Sequence, residues 1–259
     1  MKSPDKPVIA LVCTDCENTR ILYHGICGQL PVSLVITENT VSRKLLIKRR
    51  IKRLGIWTTF SQLVFQAGLL PFLRRAARTR RNNIFHTFQL STVPMPGEII
   101  THVDSVNSEA FVQRIREAEP DIIVVNGTRI IAKHILEQLT CPIINVHVGI
   151  TPLYRGVHGA YWALTQNDRA HCGVTVHMVD AGIDTGGILQ QATIEPGHDD
   201  NFVTYPYLQF AKAVELVKKA VPEVLAGSYS IKPVPEGKSK LWYHPTIWQY
   251  LKYRLKGVK

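Results

Sequence analysis

No aspartate or glutamate occurs between Asn39 and Gly97. That gap leaves the twelve Lys and Arg residues between Arg43 and Arg81 without a local counter-charge. The net charge of +11 is therefore confined to one segment, since the other 19 basic residues are balanced by 20 acidic ones. Such a distribution suits a face that docks onto something anionic better than it suits a generally basic protein. Cysteine is also scarce. Five residues (Cys13, Cys16, Cys27, Cys141, Cys172) in 259 make no disulfide framework and fit a reducing cytoplasm. No secretory signal is expected, because the apolar run at 8–12 is too short and Asp5 stands just before it. No structural metal is expected either, since His171, Cys172 and His177 have no fourth partner at zinc spacing.

The twenty residues 54–73 carry no charge, which raises the question of a transmembrane span. Thr58, Thr59, Ser61, Gln62, Gln66, Gly68 and Pro71 make it a poor one, and a crossing there would divide one sheet between two compartments. A pair of amphipathic helices lying on a surface, or packed as an insertion at about 41–81, fits better. Trp57, Phe60, Phe65 and Phe72 stand between two clusters of Lys and Arg. This favours docking of residues 43–81 at an anionic membrane surface or an anionic acceptor. A solvated insertion without a partner is equally open. Nucleic acid is less favoured, because Lys and Arg without a base-reading motif attract phosphate regardless of sequence. The aromatic, basic tail at 227–259 is expected to be an interfacial helix or a strap over the domain.

Apolar runs at 8–12, 33–37, 121–126, 142–147, 173–179 and 187–194 are expected strands. Helical patterns at 18–29, 108–119, 132–139 and 201–225 fall between or after them. The β-α-β order predicts parallel pairing with right-handed crossovers, and the last two strands are expected as neighbours including an antiparallel member. Residues 1–226 then form one α/β domain.

The chemistry gathers at Asn145-Val146-His147 and at Asp184, within Asp180-Ala181-Gly182-Ile183-Asp184-Thr185-Gly186. In a strand, residues two apart share a face, which puts Asn145 and His147 together. The carboxamide can donate to an oxygen gaining charge, the imidazole can move a proton, and the carboxylate can fix its tautomer. Alone, either motif is more often a strand end or a turn. Their joint spacing, with Pro152-Leu153-Tyr154-Arg155-Gly156 and Gly173-Val174-Thr175-Val176-His177 between them, resembles the folate-dependent formyltransferase family over about 121–194. That family includes methionyl-tRNA, glycinamide ribonucleotide and sugar-amine formyltransferases.

The resemblance implies a Rossmann-like three-layer α/β/α fold, with a mostly parallel sheet and an antiparallel member. It implies catalytic roles for Asn145, His147 and Asp184, and 10-formyltetrahydrofolate as formyl donor with no metal. The donor cleft would be bounded by Gly127, Arg129, Ile130 and Ile131 on one side and by Asp180, Ala181 and Gly182 on the other. Arg155, His158 and His177 are candidate acceptor-side residues, the first two equally readable as exposed loop positions.

Two departures stand out. Gly149-Ile150-Thr151-Pro152 replaces the Ser-Leu-Leu-Pro run common in the family. The first loop, Cys13-Thr14-Asp15-Cys16-Glu17-Asn18, lacks a glycine-rich phosphate cradle, and its two acids would repel a phosphate. Glycinamide ribonucleotide is disfavoured as acceptor on that ground. The expected activity is N-formyl transfer to a primary amine on a small or carrier-linked molecule, in the cytoplasm, with a peripheral position at the inner membrane face open. The alternatives are hydrolysis of formyltetrahydrofolate, or a non-catalytic membrane- or RNA-binding role on a retained scaffold.

Overall fold

The computed structural model describes residues 6–259. β1 (Ile9–Cys13) is apolar from end to end and buried throughout, as a strand covered on both faces requires. α1 (Glu17–Ile26) leads to β2 (Val32–Glu38), parallel to β1. A helical block follows: α2 (Arg43–Leu54), α3 (Ile56–Val64), a π-helical stretch over Phe65–Leu69, α4 (Leu70–Ala76) and α5 (Arg78–Thr87). β3 (Ile100–Val103) then joins the sheet beside β2. α6 (Glu109–Ala118), β4 (Ile122–Asn126), α7 (Lys133–Leu136) and β5 (Ile143–His147) extend it on the other side. β6 (Arg155–Gly156) and α8 (Gly159–Thr165) precede β7 (Gly173–Met178) and β8 (Ile188–Thr193). α9 (Tyr205–Leu225), β9 (Leu241–Trp242) and α10 (Ile247–Leu255) complete the chain.

The seven-stranded sheet has the order β3-β2-β1-β4-β5-β7-β8. Only β7 runs against its neighbours, opposing both β5 and β8, so the sheet is mostly parallel with one antiparallel member among the described strands. Alternate residues of β1 enter two separate cores. Ile9 and Leu11 join the side chains of α1, α8 and α9, while Ala10 and Val12 meet Phe111, Val112, Ile115 and Ile135 of α6 and α7. Helices thus cover both faces, giving three layers.

Two parts differ from the sequence expectation. β3 is only four residues with a polar pair at its centre, too short for an apolar run to announce it. The basic segment is more extensively helical than a pair of helices: α2 is followed by a helical stretch through 56–76, comprising α3, the π-helical turn and α4, and then by α5. Ion pairs hold that block to the domain. Arg80 donates through Nε and Nη2 to the carboxylate of Asp200, at 2.8 and 2.9 Å. The Asp200 side chain is fully buried and also accepts from the Gly197 N–H and the Thr204 hydroxyl. Arg81 pairs with Glu17 and donates to the Tyr207 hydroxyl.

The tail is a strap that ends in a helix. β9 pairs in parallel with β6, Tyr250 lies against Phe65 at 5.0 Å between ring centroids, and Gln62 Nε2 donates to the His244 carbonyl at 2.6 Å.

Arg80→Met leaves Asp200 buried without its guanidinium and is expected to lower the unfolding free energy by about 2 kcal/mol in urea denaturation, the partly exposed Arg moderating the loss. Arg75→Met, on an exposed turn of α4, should shift it by less than about 0.5 kcal/mol.

Candidate active site

β5 delivers Asn145 and His147, and the antiparallel β7 places His177 directly opposite Asn145 in the register. Asp184 comes from the loop between β7 and β8 with φ of +51°, a left-handed conformation unusual for a residue with a side chain. Four hydrogen bonds hold the loop there. The Gly156 N–H donates to Asp184 Oδ2 at 3.2 Å, Arg155 Nη1 donates to the Ile183 carbonyl at 3.0 Å, and Asp180 Oδ1 accepts from the Gly182 N–H and the Thr185 hydroxyl. Gly186 closes the loop against β7, where a Cβ would collide with the Met178 carbonyl oxygen.

The hydrogen bonds decide both tautomers. His147 Nε2 lies 2.8 Å from the Tyr154 carbonyl, an acceptor only, so Nε2 carries the proton. His147 Nδ1 is left facing Asp184 Oδ2 at 3.4 Å. His177 Nδ1 donates to the Met178 carbonyl at 2.7 Å, which leaves its Nε2 to accept from Asn145 Nδ2 at 3.1 Å. The Asn145 amide reaches Asp184 Oδ1 less closely, at 3.5 Å. In the neutral site the His147–Asp184 contact therefore has a lone pair and a carboxylate facing each other without a proton between them. A proton arriving at Nδ1 would complete that bond.

Burial pushes the His147 pKa below its ordinary value, against the opposing pull of Asp184 and the Tyr154 carbonyl. Burial pushes the Asp184 carboxyl up, but the Gly156 N–H, together with His177 and His147 in their protonated forms, brings it below the usual carboxylate range. The resting pair is a neutral imidazole beside a carboxylate, which is the state a general base needs.

Gly149 has a physical reason to be glycine. A Cβ there would collide with the Tyr154 carbonyl oxygen and stand 2.8 Å from His147 Nε2. The bare glycine lets that carbonyl reach the imidazole.

Asn145, His147, His177 and Asp184 line a cleft of about 420 Å³ together with Gly127, Arg129, Ile130, Ile131, Asp180 and Gly182. Val125, Val146 and Val179 contribute apolar wall. Ala181 adjoins the cleft without lining it. Arg129 is pinned by Glu38, which accepts from its backbone N–H at 2.6 Å and from Nη1 at 3.0 Å. Its guanidinium also donates to the Asn39 and Asp104 carbonyls. Arg155 braces the Asp184 loop. His158 is turned away from the cleft, with Nε2 2.9 Å from His244 Nδ1 and its ring against Phe202. Asp15 and Glu17 are paired with Arg20 and Arg81, so their repulsion toward an anion is weaker than the bare sequence implies. Motif reading missed Glu38, and it named Gly149 and Tyr154 without the contact each makes with His147. Glu38 is buried at the end of β2, a position where a lone carboxylate calls for a partner, and that was the available signal.

Residues 76–220 match the family described as Formyl transferase. A methionyl-tRNA formyltransferase of a Nitratiruptor species is 34% identical over 133 residues, covering 51% of this chain and 42% of that protein. One from Desulfotalea psychrophila is 37% identical over 123 residues, covering 47% and 36%. The match thus spans less than half the length of these curated relatives. Among solved structures, glycinamide ribonucleotide transformylase 1 of Symbiobacterium toebii superimposes with a TM-score of 0.56 at 19% identity, over 90% of this chain and 93% of the other. A 4-N formyltransferase of Francisella tularensis gives 0.55 at 17%, over 95% and 78%. At these identities the structures share the fold.

Gly149→Ala forces the Tyr154 carbonyl off His147 and should cost about 2 kcal/mol of stability, whereas Gly68→Ala, with open space at its Cβ, should cost nothing. Burial also depresses His158 and brings His244 to about 4, so with His147 the folded state binds fewer protons than the unfolded one. Their contribution is complete above the unfolded value of about 6.5 and is lost as pH falls through the depressed folded values, about 4 for His244. Urea midpoints should drop between pH 7 and pH 5, and His244→Gln should flatten that drop.

Proposed function

The chain belongs to the formyl transferase family, and from that premise we propose that it transfers a formyl group from 10-formyltetrahydrofolate to a primary amine. One observation carries the proposal: Asn145, His147 and Asp184 converge on one another at the wall of a single cleft. The cleft suits the donor. Val125, Ile131, Val146 and Val179 offer apolar surface for a flat ring, and Ile130 at the same wall exposes 56% of its surface. Gly127, Arg129, Asp180 and Gly182 line the rest of that space.

The donor would supply the activated formyl carbon. The amine lone pair forms the new C–N bond there, and the bond from that carbon to the donor nitrogen then breaks. Asn145 Nδ2 is the group suited to the oxyanion, because its 3.5 Å contact with Asp184 is long enough to be exchanged for a better acceptor. His147 receives the amine proton at Nδ1, where Asp184 stabilises the imidazolium, and returns it to the departing nitrogen of the donor. Tyr154 and Gly156 move no protons; their backbone groups keep the imidazole and the carboxylate oriented. Arg155 steadies the Asp184 loop, and His177 accepts one N–H of the Asn145 amide and leaves the other turned toward Asp184.

The acceptor is assigned only as a primary amine, small or carrier-linked. The names of the similar proteins share formyl transfer and differ in what receives it. A cytoplasmic setting belongs to the same reading, in keeping with the thiols of Cys13, Cys16, Cys27 and Cys172, none of them in a disulfide.

Asn145→Ala and Asp184→Asn should each lower kcat for formyl transfer by about 100-fold or more, with donor binding by fluorescence retained. Rates near wild type in both variants would overturn the mechanism. Donor consumption at the same rate with and without added amine would replace it with hydrolysis.

A further inference from the structure

α3 is packed inside out. At about 100° per residue its side chains divide into a polar arc and an apolar arc. The polar arc faces inward: Thr59 and Gln62 are buried, the former donating to the Gly55 carbonyl and the latter to the His244 carbonyl. The apolar arc faces outward, with Ile56 61%, Trp57 82% and Phe60 59% exposed. A helix that merely covers a soluble domain has the reverse arrangement. Phe72 on α4, 70% exposed, continues the apolar surface along the same helical stretch.

α10 packs beside α3 and repeats the pattern. Trp248, Leu251 and Leu255 form an i, i+3, i+7 stripe, with Trp248 and Leu255 exposed by 72% and 90%. Tyr250, on the opposite side of that helix, is buried against Phe65 and Tyr161. Two helices from distant parts of the chain therefore present exposed rings and aliphatic groups side by side. Cations surround them. α2, with no buried residue, carries seven Lys and Arg, and Lys252, Arg254 and Lys256 lie along or just after α10. No acid occurs at 39–97 or at 237–259 to offset them.

We propose that α3, α4 and α10, with the cations of α2, form one docking face for an anionic lipid bilayer. The rings and aliphatic side chains enter the boundary between headgroups and acyl chains, and the Lys and Arg residues meet the lipid phosphates. The helices do not cross the bilayer. Their inward polar side is bonded to the domain through Gln62, and α5 is tied to the buried Asp200 through Arg80. A second copy of the chain is a poor occupant, because two faces without acidic residues would repel each other. Nucleic acid would satisfy the cations but would leave Ile56, Leu251 and Leu255 without a partner. Formyl transfer is not a premise of this assignment, although the strap that carries α10 also pairs with Arg155 and Gly156, beside Asp184.

The test is co-sedimentation of the full chain with phosphatidylcholine vesicles, with and without phosphatidylglycerol. Binding to the anionic vesicles is expected, with little to the neutral ones. The double variants Trp57→Glu/Phe60→Glu and Trp248→Glu/Leu255→Glu should each weaken it by about tenfold or more. In the unaltered protein, tryptophan emission should shift to the blue on vesicle addition and be quenched by brominated acyl chains, a readout independent of how the variants fold. Equal partitioning of wild type and variants, or unquenched tryptophan, would overturn the proposal. So would binding to RNA with vesicles ignored, or a dimer that ignores vesicles and is dissolved by the same substitutions.

Discussion

A backbone carbonyl that hydrogen-bonds one nitrogen of a buried histidine governs this site. Because the Tyr154 oxygen can only accept, His147 must carry its proton on Nε2 and present Nδ1 to Asp184. Everything nearby serves to keep that arrangement. Gly149 clears the path of the carbonyl, the Gly156 N–H fixes the carboxylate, and the left-handed Asp184 backbone is held by Arg155 through the Ile183 carbonyl. Burial keeps the imidazole neutral, and its neighbours keep the carboxylate charged. The pair therefore rests one proton short of a complete hydrogen bond.

The fold makes this possible by reversing one strand. Were β7 parallel to β5, its partner residues would not bring His177 opposite Asn145, and the chain would not turn back past the strand ends through the loop that holds Asp184. The cleft also opens where β4 and β5 end, the place where an open α/β sheet leaves room for a ligand. The basic block is attached to this frame by Phe65 and Ile84, which enter the core, by a few charged contacts and by the strap, while Ile56, Trp57, Phe60 and Phe72 stay exposed.

Much of this was legible in the sequence because the chemistry rides on long buried strands. β1 is apolar throughout and β4 and β5 begin as apolar runs, with Asn145 and His147 at the end of β5 at a spacing that dictates a shared face. The gap in acidic residues likewise located the basic block. What escaped depends on contacts between residues far apart in the chain. Periodicity announces neither a four-residue edge strand such as β3 nor a π-helical stretch. His158 looks like a loop residue until His244, 86 positions later, packs against it. Gly149 appears as a family departure in sequence, and its meaning rests on a carbonyl five residues away. The inverted faces of α3 become visible only when burial shows which arc is inward.

Whether this site moves a formyl group onto an amine can be read in one reaction. The purified protein is incubated with carbon-13 formyl-labelled 10-formyltetrahydrofolate and a pool of cytoplasmic amines, and the products are identified by mass spectrometry. Label is expected in an N-formyl product whose formation depends on the protein. Label recovered only as formate, or unchanged donor throughout, would contradict formyl transfer at this site.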